Sequence, residues 1–288
     1  MNYMKLLVDI CSSDMACKII SQDGEYNVMT YEQKINYLKN RITIHSFNEA
    51  FDPWCYIAGY IDFKNQFWDF EKDTLNEEFA CYVYIEHGFK VGLKRNMNDI
   101  CRADAKYLLK PKCNIAIIGN APISEVQQDE INTYDIIVRT NNCDSFRQGD
   151  RVDLIYYRGV RLKSAKDFPF HIVNSGVLNK VLHIDGSKSD EDYFHKKTDK
   201  WHFYQTVKST SIDYQKNKDK HRPSCGYFTI RHVQSVFKES AIYLYGFTFN
   251  VIDPRFHNLK YEREQILRDK SLHYIKPDTK SKKVHHGT

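Results

Sequence analysis

The segment Asn114-Ile-Ala-Ile-Ile-Gly-Asn120 determines how the rest of the sequence is interpreted. Consecutive apolar residues that end in a glycine are typical of a strand buried on both faces, as in a parallel sheet covered by helices. Further short apolar runs follow, separated by polar or helical segments. They occupy residues 136–138, 153–157, 171–173, 181–184 and 241–245. This alternation predicts an α/β fold of Rossmann-like type, with a mostly parallel sheet and flanking helices.

The composition excludes several other classes of protein. Of the 288 residues, 42% are hydrophobic and 14% aromatic, which is enough for a sizeable core and too much for a disordered chain. The formal net charge of +5 is too small for the basic surface of a dedicated nucleic-acid-binding protein. The eight cysteines have neither a C-x-x-C pair nor a Cys/His metal spacing. We therefore expect no zinc site, no cofactor and no nucleic-acid partner.

The sequence also leads to an expectation about location. No stretch reaches the roughly 20 apolar residues that cross a bilayer. Asp9, Ser12, Ser13 and Asp14 interrupt the apolar residues near the start, so we expect no signal peptide and no membrane anchor. Buried free thiols would agree with a reducing compartment. The expected location of this soluble chain is the cytoplasm.

The pattern of apolar and polar segments changes at Lys110-Pro111-Lys112. The segments before it are a predicted helix over 31–41, an aromatic-rich stretch over 54–63 and a predicted hairpin over 81–93. We expect residues 1–110 to form an α+β accessory region. Residues 111–288 would form the domain that carries the functional site.

Polar residues stand at the ends of two predicted strands. Gly119-Asn120 follows the first strand, and the next strand ends in Arg139 and Asn141. The carboxyl ends of parallel strands form the ligand-binding edge of an open α/β sheet. Glycine lets the backbone approach a ligand, and an asparagine amide both donates and accepts hydrogen bonds. A Gly-Asn pair also occurs at ordinary turns, and for Arg139 we favour a structural pairing with Asp135 or Asp153 over a phosphate contact.

A third motif is Arg222-Pro-Ser-Cys-Gly-Tyr-Phe228, which leads into a helix predicted over 224–237. Ser224 is predicted at the N-cap, where its hydroxyl and the first N–H groups of the helix would bind an anion. An ordinary capped helix has the same pattern. A second helix is predicted over 257–269.

Together the three motifs resemble, in order and spacing, the large and small sialyl motifs of eukaryotic sialyltransferases. The matching segments are 112–120, 135–141, 223–226 and 245–247. Residues 117–157 also resemble the bacterial lipooligosaccharide sialyltransferases. The resemblance extends from Lys112 to about Glu262 and leaves residues 1–110 uncovered. It implies the sialyltransferase-type variant of the GT-A fold.

The resemblance also implies an activity and a set of site residues. The protein would transfer a sugar from a CMP-activated donor to an acceptor hydroxyl, with inversion and without a metal. The implied nucleotide contacts are Gly119, Asn120, Asn141, Ser224, Cys225 and Gly226. In His257-Asn-Leu-Lys-Tyr-Glu262, His257 would be the general base and Glu262 would orient it or pack behind it, as suits an imidazole at neutral pH. Tyr156 and Tyr157 are candidates to bind the leaving-group phosphate, with a place in the core as the alternative.

The sequence departs from the sialyltransferase pattern at three places. Glu239 stands where the eukaryotic enzymes have the cysteine that pairs with a position near Cys113, so that disulfide cannot form. Cys225 replaces the usual threonine, and the His-Tyr pair that should precede the base occurs after it, as His273-Tyr274. These departures concern the donor sugar more than the fold.

Two alternatives to a sialyltransferase therefore stay open. One is a glycosyltransferase of the same fold that uses another nucleotide sugar. The other is a catalytically inactive descendant that binds a nucleotide or a partner protein. For an enzyme, the expected partners are a nucleotide-sugar donor and a glycan or other hydroxyl-bearing acceptor.

Overall fold

The computed structural model describes residues 28–30, 33, 36, 52–61, 64–83, 102–110, 112–141, 150–158, 180–186, 190, 194, 204–212, 214, 222–249 and 257–277. The chain divides into two compact units, Met1–Leu109 and Lys110–Thr288. Most of the helix predicted over 31–41 and the whole apolar run 171–173 lie outside the described residues.

In its described residues, the first unit combines short helices with one small antiparallel sheet. The elements with described bounds are α1 (Pro53–Gly59), α2 (Lys64–Phe67), β1 (Trp68–Asp69), β2 (Thr74–Leu75), α3 (Glu77–Val83) and α4 (Arg102–Leu108). Asp52 caps α1, since its carboxylate accepts the N–H groups of Trp54 and Cys55 at 2.8 and 3.2 Å. The hairpin predicted over 81–93 is wrong at its start, because the backbone of residues 81–83 belongs to helix α3. Residues 84–93 lie outside the described part.

The second unit contains a sheet of seven parallel strands in the order β7-β6-β5-β4-β3-β8-β9. Their bounds are Asn114–Ile118 for β3, Ile136–Thr140 for β4, Leu154–Tyr157 for β5, Lys180–Ile184 for β6, Tyr204–Val207 for β7, Ala241–Tyr245 for β8 and Leu272–Tyr274 for β9. Ile115, Ala116 and Ile117 in the centre of β3 have 0% exposure. The predicted α/β, Rossmann-like arrangement with flanking helices is confirmed.

The order of the strands creates a divergence point beside β3. From β3 the chain moves outward through β4, β5, β6 and β7, and then returns to place β8 on the other side of β3. The connections that follow β3 and β8 therefore lead to opposite halves of the sheet. In open α/β sheets the carboxyl ends of strands at such a point form the ligand-binding crevice.

In the second unit, the structure describes the bounds of three helices and one short 3-10 turn. They are α5 (Glu125–Ile131), the turn Ser209–Ser211, α6 (Cys225–Val236) and α7 (Leu259–Arg268). Ser224 caps α6 by accepting the N–H of Tyr227 at 3.1 Å, and Asn258 caps α7 by accepting that of Tyr261 at 3.0 Å. Both helices begin and end within two residues of the predicted bounds. Within the described ranges, no helix combines the length and apolar character needed to cross a bilayer.

Candidate functional site

Residues from all three motifs meet at the carboxyl edge of the sheet. Asn120 follows β3, Asn141 follows β4 and Arg158 follows β5. The start of α6 adjoins these strand ends, because the sulfur of Cys225 lies 3.7 Å from the Tyr156 carbonyl oxygen and the Arg158 guanidinium donates to the Pro223 carbonyl. The Asn141 N–H also donates to the Tyr156 carbonyl at 2.8 Å. Segments far apart in the sequence thus come together at the strand ends.

Gly119 is explained by contact between two strand ends. Its N–H donates to the Tyr245 carbonyl at 2.8 Å, and the next turn is closed by Ala121 N–H donating to Gly246 O at 3.0 Å. A Cβ atom at position 119 would lie 2.5 Å from Gly246 O, a backbone atom that cannot turn aside. Gly246 itself has a φ of +65°, which favours glycine. The close approach of these two backbones therefore also requires glycine at position 119, the residue that was predicted to contact the nucleotide.

The two asparagines differ in their surroundings. Asn120 is exposed, and its side chain forms no hydrogen bond with any described residue. Asn141 is half-buried and has a φ of +54°, a left-handed conformation that asparagine tolerates better than most residues. The structure brings the two to the ends of neighbouring strands, as the sequence predicted.

The side chain of Cys225 points into the core. It is 7% exposed, and its Sγ donates to the Tyr156 carbonyl at 3.7 Å. Burial raises the pKa of the thiol to about 11, although Arg158 and the nearby N–H groups act in the opposite direction. The thiol is therefore neutral at physiological pH. Because the side chain is buried, Cys225 can contact a nucleotide only through its backbone N–H.

Gly226 is close to an aromatic ring. A Cβ atom at this position would lie 2.9 Å from Cε1 of Phe247. The N–H groups of Cys225 and Gly226, in the first turn of α6, have no acceptor in the described part of the chain. These two donors lie at the positive end of the helix, where the third motif can donate hydrogen bonds to an anion.

Ser224 is held by Glu262, which changes the predicted role of both residues. The Ser224 N–H donates to Oε1 of Glu262 at 2.7 Å, and its hydroxyl donates to Oε2 at 2.6 Å. The Tyr214 hydroxyl donates to Oε1 at 3.4 Å. A protein carboxylate thus occupies the Ser224 donors that were predicted to bind the nucleotide. Glu262 contacts Ser224 and Tyr214. These contacts do not orient His257, which is the role that was predicted for Glu262.

The Glu262 carboxyl group is deeply buried, with 0% exposure. Burial raises its pKa to about 7, while the hydrogen bonds from Ser224 and Tyr214 and the charge of Arg158 lower it. The group consequently changes its protonation state near neutral pH.

His257 lies two residues before α7 and contacts the segment that precedes α6. Its Nδ1 is 2.9 Å from the Arg222 carbonyl oxygen. A carbonyl can only accept, so Nδ1 carries the proton in the neutral imidazole and Nε2 has a free lone pair. The ring is half-buried. This tautomer makes Nε2 the atom that can accept a proton.

The three residues Arg222, Pro223 and Ser224, here called the pre-helix turn, are contacted by side chains from three directions. His257 binds the Arg222 carbonyl, Glu262 binds Ser224, and the Arg158 guanidinium donates to the Pro223 carbonyl. The turn is therefore the point at which the end of β5 and the start of α7 are joined to α6.

Sequence reasoning missed Arg158. A second terminal nitrogen of its guanidinium lies 3.5 Å from Oδ2 of Asp185, which follows β6. The signal that could have found it is its place directly after the apolar run 154–157, the same rule that selected Asn120 and Asn141. Tyr214, the third donor to Glu262, also went unpredicted, because no pattern surrounds it in the sequence.

Arg139 has the structural role that the sequence favoured. It is 0% exposed, and one terminal nitrogen is 3.2 Å from Gln128 Oε1 and 3.4 Å from Asp150 Oδ2. Its partners differ from the expected Asp135 and Asp153. Asp135 accepts the Asn114 N–H at 2.9 Å, and Asp153 accepts the Ile137 N–H at 2.7 Å.

Tyr156 and Tyr157 belong to the core, with 0% and 4% exposure. The Tyr156 hydroxyl is 2.7 Å from Nδ1 of His232. Tyr157 packs between the rings of His183 and Phe194, with centroid distances of 5.4 and 6.3 Å. Both rings fill space in the core beside the sheet. The prediction that they bind a leaving-group phosphate is therefore corrected, and the two tyrosines are core residues.

The departures from the sialyl pattern have structural counterparts. Cys113 is a reduced, buried thiol, and its Sγ lies 3.2 Å from the hydroxyl of Ser240. Lys112 and Glu239 form an ion pair at 3.4 Å. Noncovalent contacts thus join the starts of β3 and β8, where the eukaryotic pattern would have a disulfide. His273 is on edge strand β9, stacked on Tyr243 with a centroid distance of 4.5 Å.

Among the described residues, no group of three or more His, Cys, Asp or Glu side chains is placed to hold a metal ion. Comparisons with known proteins found no matching family model, no matching curated protein and no matching solved structure.

Proposed function

We propose that the protein is a glycosyltransferase that uses a nucleotide sugar. The first candidate donor is a CMP-activated sugar of the sialic acid type, and the acceptor is a hydroxyl of a glycan or another molecule. The observation that carries the proposal is the 2.9 Å contact between Nδ1 of His257 and the Arg222 carbonyl. This contact leaves Nε2 of His257 as a basic nitrogen near the carboxyl edge of the sheet. At that edge, backbone N–H groups and amide side chains can donate hydrogen bonds to an anion.

The proposed base is Nε2 of His257. The acceptor hydroxyl would attack the anomeric carbon of the donor while the bond from that carbon to the phosphate oxygen breaks. The hydroxyl proton moves to Nε2, and the nucleotide leaves as an anion. Such a leaving group requires stabilisation of negative charge rather than a strong acid.

The proposed nucleotide site consists of two amides and two backbone donors. Asn120 and Asn141 supply side chains from the ends of neighbouring parallel strands. Cys225 and Gly226 supply N–H groups at the positive end of α6. Ser224 supports this arrangement indirectly, because its bonds to Glu262 fix the turn that begins the helix.

Thermal unfolding with CMP, UDP and GDP tests the nucleotide site. We expect CMP at a hundred times its Kd to raise the Tm of the wild type by about 5 to 10 °C. The shift should be lost in Asn120→Ala and in Asn141→Gly, where glycine preserves the left-handed backbone. Asn114→Ala is the matched control, because Asn114 is an exposed asparagine at the opposite end of β3.

The outcomes separate the candidate functions. A shift with UDP and none with CMP would replace the CMP-activated donor by another nucleotide sugar. No shift with any of the three nucleotides would contradict the proposed site altogether.

A further inference from the structure

Arg158 occupies a place at the sheet edge that the proposed function has not yet used. It directly follows β5, and its guanidinium donates to the Pro223 carbonyl just before α6. Asn141 follows the adjacent strand β4, and its N–H donates to the Tyr156 carbonyl, which also accepts from the sulfur of Cys225. The guanidinium of Arg158 thus extends from a strand end next to the donors assigned to the nucleotide.

The protein holds this guanidinium in position without enclosing it. One terminal nitrogen donates to the Pro223 carbonyl in the pre-helix turn, and the other is 3.5 Å from Asp185. The side chains of Arg158 and Asp185 are 15% and 38% exposed, so the ion pair is long and partly faces solvent. Pairs of this kind contribute little, which means that a stronger anion can replace the Asp185 carboxylate. The Nε of Arg158 is buried and has no partner among the described residues.

The charge of Arg158 acts on the start of α6. It lowers the pKa of the Cys225 thiol and of the Glu262 carboxyl, which belong to α6 and α7 respectively. Arg139, which ends the neighbouring strand, is different because it is fully buried with Asp150 and Gln128. Of these two arginines, Arg158 is the one that a ligand in solution can reach.

We propose that Arg158 binds the phosphate of the donor nucleotide, with the phosphate oxygens replacing Asp185 as partners of the guanidinium. The inference rests on the proposed function and adds the residue that holds the leaving group. A planar guanidinium forms paired, charge-assisted hydrogen bonds with phosphate oxygens. It would therefore stabilise the negative charge that the nucleotide retains when the sugar departs.

Binding of matched ligands with and without phosphate tests this role. We would measure Kd by calorimetry for CMP and cytidine, and in parallel for UDP and uridine. In Arg158→Gln the affinity for the phosphate-bearing ligand should fall about tenfold to a hundredfold, while the nucleoside affinity stays within about twofold. Arg158→Lys should restore part of the loss, because the charge is kept and the fork geometry is not.

Two further variants separate ligand binding from a structural role. Asp185→Asn releases the guanidinium and should tighten CMP binding about two- to fivefold without changing cytidine binding. Arg268→Gln removes an exposed arginine of α7 and controls for the change in net charge. A merely structural Arg158 would not respond to the loss of the Asp185 charge with tighter phosphate binding.

Three results would overturn the inference. Equal losses of CMP and cytidine affinity in Arg158→Gln would mean that the residue only supports the pre-helix turn. Unchanged CMP affinity in that variant would mean that the phosphate lies elsewhere. A wild type that binds none of the four ligands would instead contradict the proposed function, and the inference with it.

Discussion

At the scale of single residues, His257 and Glu262 are each positioned by contacts with the pre-helix turn. The sequence indicates a histidine and a glutamate five positions apart, which places Glu262 in the first turn of α7. It cannot indicate their partners, because Arg222 and Ser224 come from a distant part of the chain. The spacing was consistent with the glutamate lying behind the histidine, whereas the structure joins each of them separately to the turn.

The buried Glu262 predicts a pH-dependent stability. Burial raises its pKa in the folded protein to about 7, from the ordinary value of 4.5. Between these values the folded state binds more protons than the unfolded state, so this contribution is complete below pH 4.5 and is lost as pH rises through 7. Glu262→Gln removes this loss, so the unfolding free energy of the variant relative to the wild type should rise by about 2 to 3 kcal/mol between pH 5 and pH 8.

Urea unfolding across the range from pH 5 to pH 8 measures this effect. Glu264→Gln is the control, since Glu264 lies on the same helix with its side chain 46% exposed. If the wild type and Glu262→Gln change in parallel with pH, Glu262 does not titrate in the folded state as its burial requires.

At the scale of secondary-structure elements, central and edge strands differ in how well the sequence predicts them. β3 and β8 are short apolar runs with a paired strand on each side, and both were predicted. β7 and β9 lie at the two edges of the sheet. Polar residues such as Gln205 and His273 alternate with apolar ones in these strands, so neither strand is a continuous apolar run. Edge strands need fewer apolar residues, because a neighbouring strand shields only one side of them.

The close contact between the ends of β3 and β8 predicts unequal effects at two glycines. Gly119→Ala should lower the unfolding free energy by at least about 2 kcal/mol, because its Cβ would meet the backbone oxygen of Gly246. Gly226→Ala should cost about 1 kcal/mol, because its Cβ would meet the ring of Phe247, which can move.

Chemical denaturation of the two variants measures these costs, and Phe247→Leu is a useful second change. In the Phe247→Leu background, Gly226→Ala should be milder, whereas Gly119→Ala should stay costly. Equal effects of the two alanines in both backgrounds would contradict the packing described for Gly119.

At the scale of the whole molecule, the sequence predicts the sheet and the strand ends at which the candidate site lies. Strand ends of a parallel sheet gather at one side, so Asn120 and Asn141 could be placed together from their positions after apolar runs. The network of Arg158, Glu262 and the pre-helix turn could not be predicted, because it depends on how α6 and α7 dock beside β5. For the same reason Tyr156 and Tyr157 could be placed at the end of a strand, but the sequence left open whether they lie in the core or bind a phosphate.

Release of CMP from CMP-sialic acid tests the central claim most directly. With the wild type, we predict CMP release that increases when a hydroxyl-bearing acceptor is supplied. His257→Gln should slow it about a hundredfold or more, because the proton acceptor is lost. The control His273→Gln changes an exposed histidine of β9 and should leave the rate unchanged. A His257→Gln variant with the full wild-type rate, or a wild type that binds CMP and releases none from the donor, would contradict the account.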